Sequence, residues 1–370
     1  MITQEKNALD YARMGADTLI RSFTPGKLPP ENRFHYHQGV FLSGVERIYL
    51  LSNETKYYNY IKEWIDYYID EKGDIRFDVH ERQFDDMQPA ILLFNLYNKT
   101  RDQRYKKVLD NFSLMVERWP KNAQGGFWHK YEHPNQMWLD GLYMIGPYSV
   151  MYANAFGKDY FFETIYRQMD LMRRNMTDPL TGLLYHAWDD SKMEDWADKK
   201  TGLSQMFWGR AIGWYAVAIM DILDYLPQEH PRRQQFVSAA LDIINALLRF
   251  QDEQSGLWFQ VVDKGNNPDN WLETSCSCLY TYAIAKAIKT GLLHNSYLKP
   301  LTRSYDGIIK SLSFNGEDLL VSNICIGTCV GDYQFYIDRP TITNDLHGMG
   351  AFLLMCTEYH AALVKHGVTM

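Results

Sequence analysis

Hydrophobic positions divide the chain into two kinds of segment that alternate. Six segments are apolar on nearly every side, namely 37–51, 86–97, 141–156, 211–226, 276–292 and 346–363. Six others carry one apolar stripe at helical spacing, namely 5–20, 57–69, 104–119, 159–176, 231–250 and 296–312. A helix that is apolar all round must be buried all round, whereas an amphipathic helix covers a core with one face. The alternation predicts an all-α (α/α)6 barrel, with six inner and six outer helices and a pocket where the inner helices begin.

The loops that follow the outer helices carry a second pattern. A glycine is followed by aromatic or β-prone residues at Gly73, Gly125, Gly182 and Gly256, which fits a helix C-cap or a turn. Each loop then delivers polar residues to the start of an inner segment, and these residues are Asp85, Asp86, Asp140, Arg210, Thr274 and Ser275. We therefore expect a site at this end of the barrel. No low-complexity linker interrupts the chain, which predicts a single domain over residues 1–370.

Composition narrows the class of protein. Aromatic residues make up 15% of the chain, with 10 Trp, 26 Tyr and 18 Phe. Most of these rings are expected to fill the helical core, and the remainder suit stacking on sugars. The net charge of −7 and the lack of a basic stripe argue against a nucleic-acid partner. The five cysteines do not have zinc-like spacing, and no segment resembles a signal peptide or a membrane span, which predicts a cytoplasmic protein.

Two carboxylates are candidates for acid–base chemistry. Asp140 opens a buried segment between apolar neighbours, and the adjacent pair Asp85 and Asp86 precedes another. The alternative is that each caps a helix N-terminus. Two inner-helix starts that are neighbours in the ring can bring two carboxylates together, and their shared field would raise the pKa of one of them. The helix N-terminus acts in the opposite direction, because it favours the charged form.

Cationic and aromatic residues enter the same end. Lys130 and His186 lie in the repeated loops, and Trp208 and Arg210 begin the fourth inner segment. An arginine in an apolar helix is costly unless it is paired. Its partner is either an anionic ligand or a structural carboxylate, and the sequence leaves both open. No nucleophile elbow, zinc motif, phosphate loop or dinucleotide fingerprint is present.

At these residues the chain resembles the unsaturated rhamnogalacturonyl hydrolases of glycoside hydrolase family 105, which are related to the unsaturated glucuronyl hydrolases. The resemblance runs nearly end to end. The matching segments are 32–41 (NRFHYHQGVF), 125–130 (GGFWHK), 136–144 (QMWLDGLYM), 181–189 (TGLLYHAWD), 207–215 (FWGRAIGWY), 263–265 (DKG), 270–273 (NWLE) and 344–348 (NDLHG). The family fold is the (α/α)6 barrel that periodicity predicts.

The resemblance also implies roles for individual residues. Asp140 would be the general acid/base and Asp85 its partner carboxylate, although Asp86 stays open because the two aspartates are adjacent. The residues implied to line the sugar site are Tyr36, Lys130, His186, Trp208 and Arg210. Residues 78–83 depart from the family pattern, and that loop is expected to alter substrate choice. No metal or cofactor is expected.

The implied reaction is the hydration of a 4,5-unsaturated uronic acid at the end of an oligosaccharide made by a lyase. An acid protonates C4, water adds to C5, and the product opens to release the next sugar, which requires a proton donor and no nucleophile. The expected substrate is an unsaturated galacturonyl rhamnogalacturonan disaccharide or oligosaccharide. The alternatives are an unsaturated glucuronyl hydrolase of glycosaminoglycan-type disaccharides, an ordinary inverting glycosidase, and a non-catalytic sugar-binding protein.

Overall fold

Residues 6–76 and 83–365 are described by a computed structural model. Thirteen α-helices lie within these ranges. In chain order they are α1 (Ala8–Ser22), α2 (Tyr36–Ser52), α3 (Thr55–Tyr68), α4 (Leu92–Thr100), α5 (Gln103–Arg118), α6 (Asp140–Phe156), α7 (Tyr160–Met176), α8 (Gly209–Tyr225), α9 (Arg233–Leu248), α10 (Thr274–Thr290), α11 (Leu298–Lys310), α12 (Tyr333–Ile337) and α13 (Leu346–Lys365).

Packing between the helices closes a ring. Helix α2 packs against the turn that leads into α4, that turn packs against α6, and the ring continues through α8, α10 and α13 back to α2. The amphipathic helices α1, α3, α5, α7, α9 and α11 lie outside this ring, each against inner helices. The predicted (α/α)6 barrel is therefore confirmed. The short helix α12 is an addition, because it lies in the loop before the last inner helix.

The second inner segment differs from its prediction. We expected one helix over 86–97, but two 3-10 turns, Phe84–Asp86 and Gln88–Ile91, precede α4. Pro89 explains the difference, because it lacks an N–H group and disfavours helical geometry in the residue before it. Helix α2 approaches this turn closely at Gly39, where an added Cβ would lie 2.8 Å from the Pro89 ring. The first half of the predicted helix is therefore wrong, and Asp85 lies in a turn.

The predicted glycine turns are present and fasten the loops together. Gly73, Gly125, Gly182 and Gly256 all have positive φ, between +71° and +85°, which favours glycine. Strand β1 (Gln136–Trp138) pairs antiparallel with β2 (Ala187–Asp189), and isolated bridges join Gln83 to Lys130 and Trp208 to Val261. Two further antiparallel pairs, β3 (Ser313–Asn315) with β4 (Asp318–Leu320) and β5 (Ile324–Cys325) with β6 (Thr341–Ile342), lie before α13. One end of the barrel thus carries a rim of interlocked loops.

In the part of the chain that the structure describes, no helix is both long and apolar enough to cross a bilayer. The single domain over 1–370 stays a prediction.

Candidate active site

Asp140 is the first residue of α6 and is only 9% exposed. Leu139 occupies the N-cap position, and no side chain caps this helix. The capping alternative therefore does not describe this carboxylate. Instead, Oδ2 of Asp140 lies 3.2 Å from Nε2 of His186. The two atoms are close, but neither has a well-aligned hydrogen-bond partner among the described residues.

The charge state of Asp140 follows from competing effects. Burial raises its pKa, while the contact with His186 and the field of His129 lower it, and the result is a pKa below the ordinary value. The sequence predicts that a shared carboxylate field raises one pKa at this site. For Asp140 the neighbouring histidines act in the opposite direction, and in the protein without substrate its side chain is a carboxylate.

Asp85 and Asp86 point to different surroundings. Oδ2 of Asp85 lies 3.8 Å from the Lys130 ammonium, and Oδ1 lies 3.8 Å from Nε2 of His129. Asp86 instead accepts a hydrogen bond from the Gln83 amide and lies 3.7 Å from the Arg33 guanidinium. His129 thus connects the two candidate carboxylates, because its field also acts on Asp140. This geometry favours Asp85 as the partner carboxylate.

Two of the surrounding residues were missed by the sequence-based selection. The ring of Trp138 stacks on His129 at 4.5 Å and meets His186 edge-on at 5.5 Å. The Lys130 ammonium lies 5.9 Å from the same indole ring. Trp138 stands two residues before Asp140 in the motif QMWLDGLYM, and His129 directly precedes Lys130. Their proximity to selected residues was the available signal.

Arg210 is 1% exposed and forms no ion pair with a carboxylate in the described ranges. Its guanidinium donates to the carbonyls of Cys325 at 2.6 Å and Ile326 at 2.5 Å, and it lies 4.5 Å from the Trp208 ring. The structural carboxylate partner that was one alternative is therefore not what satisfies this arginine. Burial lowers the pKa of Arg210, but the fields of nearby acidic groups, Glu273 among them, raise it by more. The pKa therefore lies above its ordinary value, and the group is charged.

Tyr36 begins α2 beside a group with metal-like spacing. His37, Asp345 and His347 offer ligand atoms within 4.8 Å of one another. However, Nε2 of His347 lies 3.1 Å from the Cys325 carbonyl, which can only accept, and Nδ1 lies 2.7 Å from a carboxylate oxygen of Asp345. Both ring nitrogens of His347 thus lie close to oxygen atoms of the protein.

The structure places all seven predicted site residues at one end of the barrel. Trp138 contacts both Lys130 and His186, and the His186 ring lies 4.7 Å from Trp208, over which Arg210 extends. The seven residues are Tyr36, Asp85, Lys130, Asp140, His186, Trp208 and Arg210. Their individual roles stay predictions. Residues 78–82 of the loop expected to alter substrate choice lie outside the described residues.

Comparison with known proteins gives the family. The model of Glycosyl Hydrolase Family 88 matches residues 12–363, which is nearly the whole chain. The unsaturated rhamnogalacturonyl hydrolase YesR of Bacillus subtilis is 28% identical over 299 residues, covering 79% of each chain.

Solved structures give the same picture. A family 105 glycoside hydrolase from C. acetobutylicum has a TM-score of 0.90 and 33% identity, covering 94% of this chain and 99% of its own. The unsaturated glucuronyl hydrolase of Bacillus sp. GL1 has a TM-score of 0.70 at 14% identity, covering 98% and 97%, and this likeness shows the fold alone.

Proposed function

The chain belongs to Glycosyl Hydrolase Family 88 and is a glycoside hydrolase, and from that premise we propose that it removes the 4,5-unsaturated galacturonyl residue from rhamnogalacturonan oligosaccharides made by lyases. The observation that carries the proposal is that one end of the barrel holds both a buried carboxylate beside a histidine, Asp140, and a buried arginine, Arg210, that has no carboxylate partner within the described residues. The name of the Bacillus subtilis relative supports the substrate class.

Binding begins with the uronate carboxylate. Two backbone carbonyls hold the Arg210 guanidinium in place at this site. The N–H groups that do not donate to these carbonyls can bind an oxygen anion. The Trp208 indole beside it offers an apolar face to the sugar ring. Lys130 lies next to Asp85 and is the second cation of the site.

The reaction needs Asp140 to carry a proton, whereas His186 and His129 keep it ionised before substrate arrives. A substrate carboxylate brought close to Asp140 is a like charge, and like charges raise a carboxyl pKa. Binding therefore favours uptake of the proton that the reaction uses. The carboxylate of Asp85 would remain as the partner group, next to the Lys130 ammonium.

Chemistry then proceeds by hydration. Asp140 gives its proton to C4, the C4=C5 electron pair forms the new C–H bond, and the positive charge at C5 is shared with the ring oxygen. Water attacks C5 and loses a proton to the Asp140 carboxylate, which restores the acid. The hemiketal opens to a C5 ketone, and C1 becomes an aldehyde as the neighbouring sugar leaves. No covalent enzyme intermediate is required.

Product labelling tests this proposal. In D2O, hydration leaves deuterium on C4 of the released keto-sugar, and early sampling in ¹⁸O water finds the label at C5. An ordinary glycosidase leaves C4 untouched and places solvent oxygen on C1. NMR of the product separates the two, with Asp140→Asn as the inactive control. A surviving double bond without deuterium at C4 would overturn the assignment.

Substrate choice needs a second comparison. Unsaturated disaccharides from rhamnogalacturonan, homogalacturonan and chondroitin are compared side by side by the loss of their double-bond absorbance. We expect the rhamnogalacturonan product to have the highest kcat/KM. Preference for the chondroitin disaccharide would identify the glucuronyl hydrolase alternative, and binding without turnover of any of them would identify a sugar-binding protein. The cytoplasmic location and the lack of a nucleic-acid partner stay predictions.

A further inference from the structure

His186 contacts a second residue on the side away from Asp140. Its Nδ1 atom lies 2.7 Å from the hydroxyl of Tyr336, which belongs to the short helix α12. We propose that Tyr336 is a positioning residue, which fixes His186 in the tautomer that carries its proton on Nε2, the nitrogen beside Asp140. The contact joins residues that are 150 positions apart in the chain.

The direction of this hydrogen bond follows from the other contact of the hydroxyl. The backbone N–H of Gly331 donates to the Tyr336 oxygen at 3.2 Å, so that oxygen already accepts one hydrogen bond. The phenol has a single proton, and burial raises its pKa well above the ordinary value, which keeps that proton in place. Within the described residues no other acceptor contacts this hydroxyl, so its proton is satisfied by donation to Nδ1 of His186. A neutral imidazole that accepts at Nδ1 carries its proton on Nε2, which is the atom 3.2 Å from Asp140.

Tyr336 is itself held on two sides. Its side chain is fully buried, and its ring stacks on Trp208 with centroids 5.7 Å apart and an angle of 18° between the planes. Its backbone carbonyl accepts a hydrogen bond at 3.1 Å from the amide of Gln260, whose oxygen accepts from the Trp208 indole at 3.2 Å. The phenol thus cannot leave His186 without disturbing the aromatic wall of the site.

The tautomer of His186 affects how well the Asp140 carboxylate is stabilised. An N–H group at Nε2 stabilises the Asp140 carboxylate before substrate binds and again after its proton has been transferred to C4. Without the phenol, neutral His186 can carry its proton on either nitrogen, and a bare Nε2 would repel the carboxylate. The effect on turnover rests on the proposed function, whereas the tautomer of His186 does not.

The test replaces the phenol and observes the imidazole directly. Tyr336→Phe keeps the ring on Trp208 and removes only the hydroxyl. Tyr333→Phe is the matched control, because it removes a phenol from the same helix whose hydroxyl donates to Asp269 at 2.7 Å, away from His186. Ring-nitrogen shifts of ¹⁵N-histidine-labelled protein report the tautomer, and the His186 signal is assigned by its loss in His186→Gln.

We expect wild type and Tyr333→Phe to hold His186 with its proton on Nε2, and Tyr336→Phe to show a mixture of tautomers. We expect kcat of Tyr336→Phe to fall about 10- to 100-fold with KM little changed, the size of loss that follows removal of a partner that orients a metal-ligating histidine. Its pH–rate profile should shift, and its melting temperature should match that of the control. An unchanged Nε2–H tautomer in Tyr336→Phe overturns the proposal whatever the activity. Because NMR needs no substrate, this result is independent of whether the proposed reaction is right.

Discussion

Both ends of the barrel contain buried charged groups, but these groups have different kinds of partner at the two ends. At the ends of the inner helices, the fully buried Lys286 contacts Asp221 and lies 2.6 Å from Asp224. The Tyr282 hydroxyl donates to the same Asp221 at 2.5 Å. At the starts of the inner helices, Arg210 is bound by two carbonyls, and Asp140 faces a histidine.

The difference shows which charges are available to a ligand. A buried ion pair that is complete within the protein neutralises itself and has little to offer an incoming anion. A buried cation satisfied by carbonyl dipoles keeps its full charge, and a carboxylate beside a histidine can change its protonation state. We therefore propose a structural role for the Lys286 cluster and a functional role for the end that holds Arg210.

We expect the largest effect from replacing Asp140, the proposed acid at the site end of the barrel. Asp140→Asn keeps the shape of the side chain and removes the transferable proton, so we expect kcat to fall about 10²- to 10⁴-fold while the protein stays folded. Loss of double-bond absorbance measures kcat, and circular dichroism checks the fold. Substantial turnover by the folded variant would remove Asp140 from the mechanism.

The neighbouring aspartates sharpen the same prediction. Asp85→Asn should reduce turnover strongly, because Asp85 lies beside Lys130 and His129. Asp86→Asn is the adjacent control and should reduce it less, because Asp86 contacts Gln83 and Arg33. The reverse order would show that Asp86 is the partner carboxylate.

The next largest effect concerns stability and arises at the opposite end of the barrel, where Lys286 is buried. Lys286→Met removes the cation that contacts both Asp221 and Asp224, and it leaves Asp221 only the Arg47 guanidinium at 3.8 Å. We therefore expect the free energy of unfolding to fall by about 3 kcal/mol, the low end of the cost of breaking a buried ion pair. Activity per folded molecule should not change. Urea denaturation measures the stability, and Lys62→Met on the surface of α3, paired with Asp66, is the control with little expected change. Lost activity in folded Lys286→Met would connect the two ends.

A smaller effect tests the anion contact. Arg210→Ala should weaken binding of the unsaturated acid by about 1.5–3 kcal/mol, or about 10- to 100-fold, because a charged hydrogen bond is lost. A neutral analogue of the sugar, measured by calorimetry on the same variant, should lose far less. Equal weakening of both ligands would make Arg210 a structural residue, and its melting temperature shows any cost to the fold.

The smallest effect concerns the pH dependence of stability, which arises from Glu46 at the end of the barrel away from the site. Burial raises the pKa of Glu46 from 4.5 to about 7, against a hydrogen bond from Asn95 that lowers it. Because the folded pKa lies above the unfolded one, the stabilisation is fully present below pH 4.5 and is lost as pH rises through about 7. We expect Glu46→Gln to remove this loss. The difference between 4.5 and about 7 corresponds to at most about 3 kcal/mol, and the partial exposure of the Glu46 side chain reduces it. Urea midpoints across that range, with the exposed Glu63→Gln as control, should show it; parallel curves for all three proteins would contradict it.

The barrel could be predicted from the sequence, because the spacing of hydrophobic residues shows whether a helix is buried on all sides or on one side. Sequence reasoning failed at 86–97, where one proline outweighs the apolar pattern. It selected Asp140 and Arg210 from their polarity in apolar segments, but it could not find their partners. The carbonyls that bind Arg210 carry no side-chain signal, and Tyr336 reaches His186 only through the folded chain. The choice between Asp85 and Asp86 depends on the local turn.

The shared direction of the inner helices has a consequence for how substrate arrives. Each inner helix that begins at the site end presents a dipole equivalent to about half a positive charge, and this field acts within one helical turn. The whole protein has a net charge of −7 and repels an anionic sugar at longer range. Salt with a Debye length of about 10 Å at 0.1 M screens the distant repulsion and leaves the near attraction almost intact. We therefore expect moderate ionic strength to speed association of the proposed anionic substrate, the reverse of what is expected for an enzyme that steers its substrate with its overall charge.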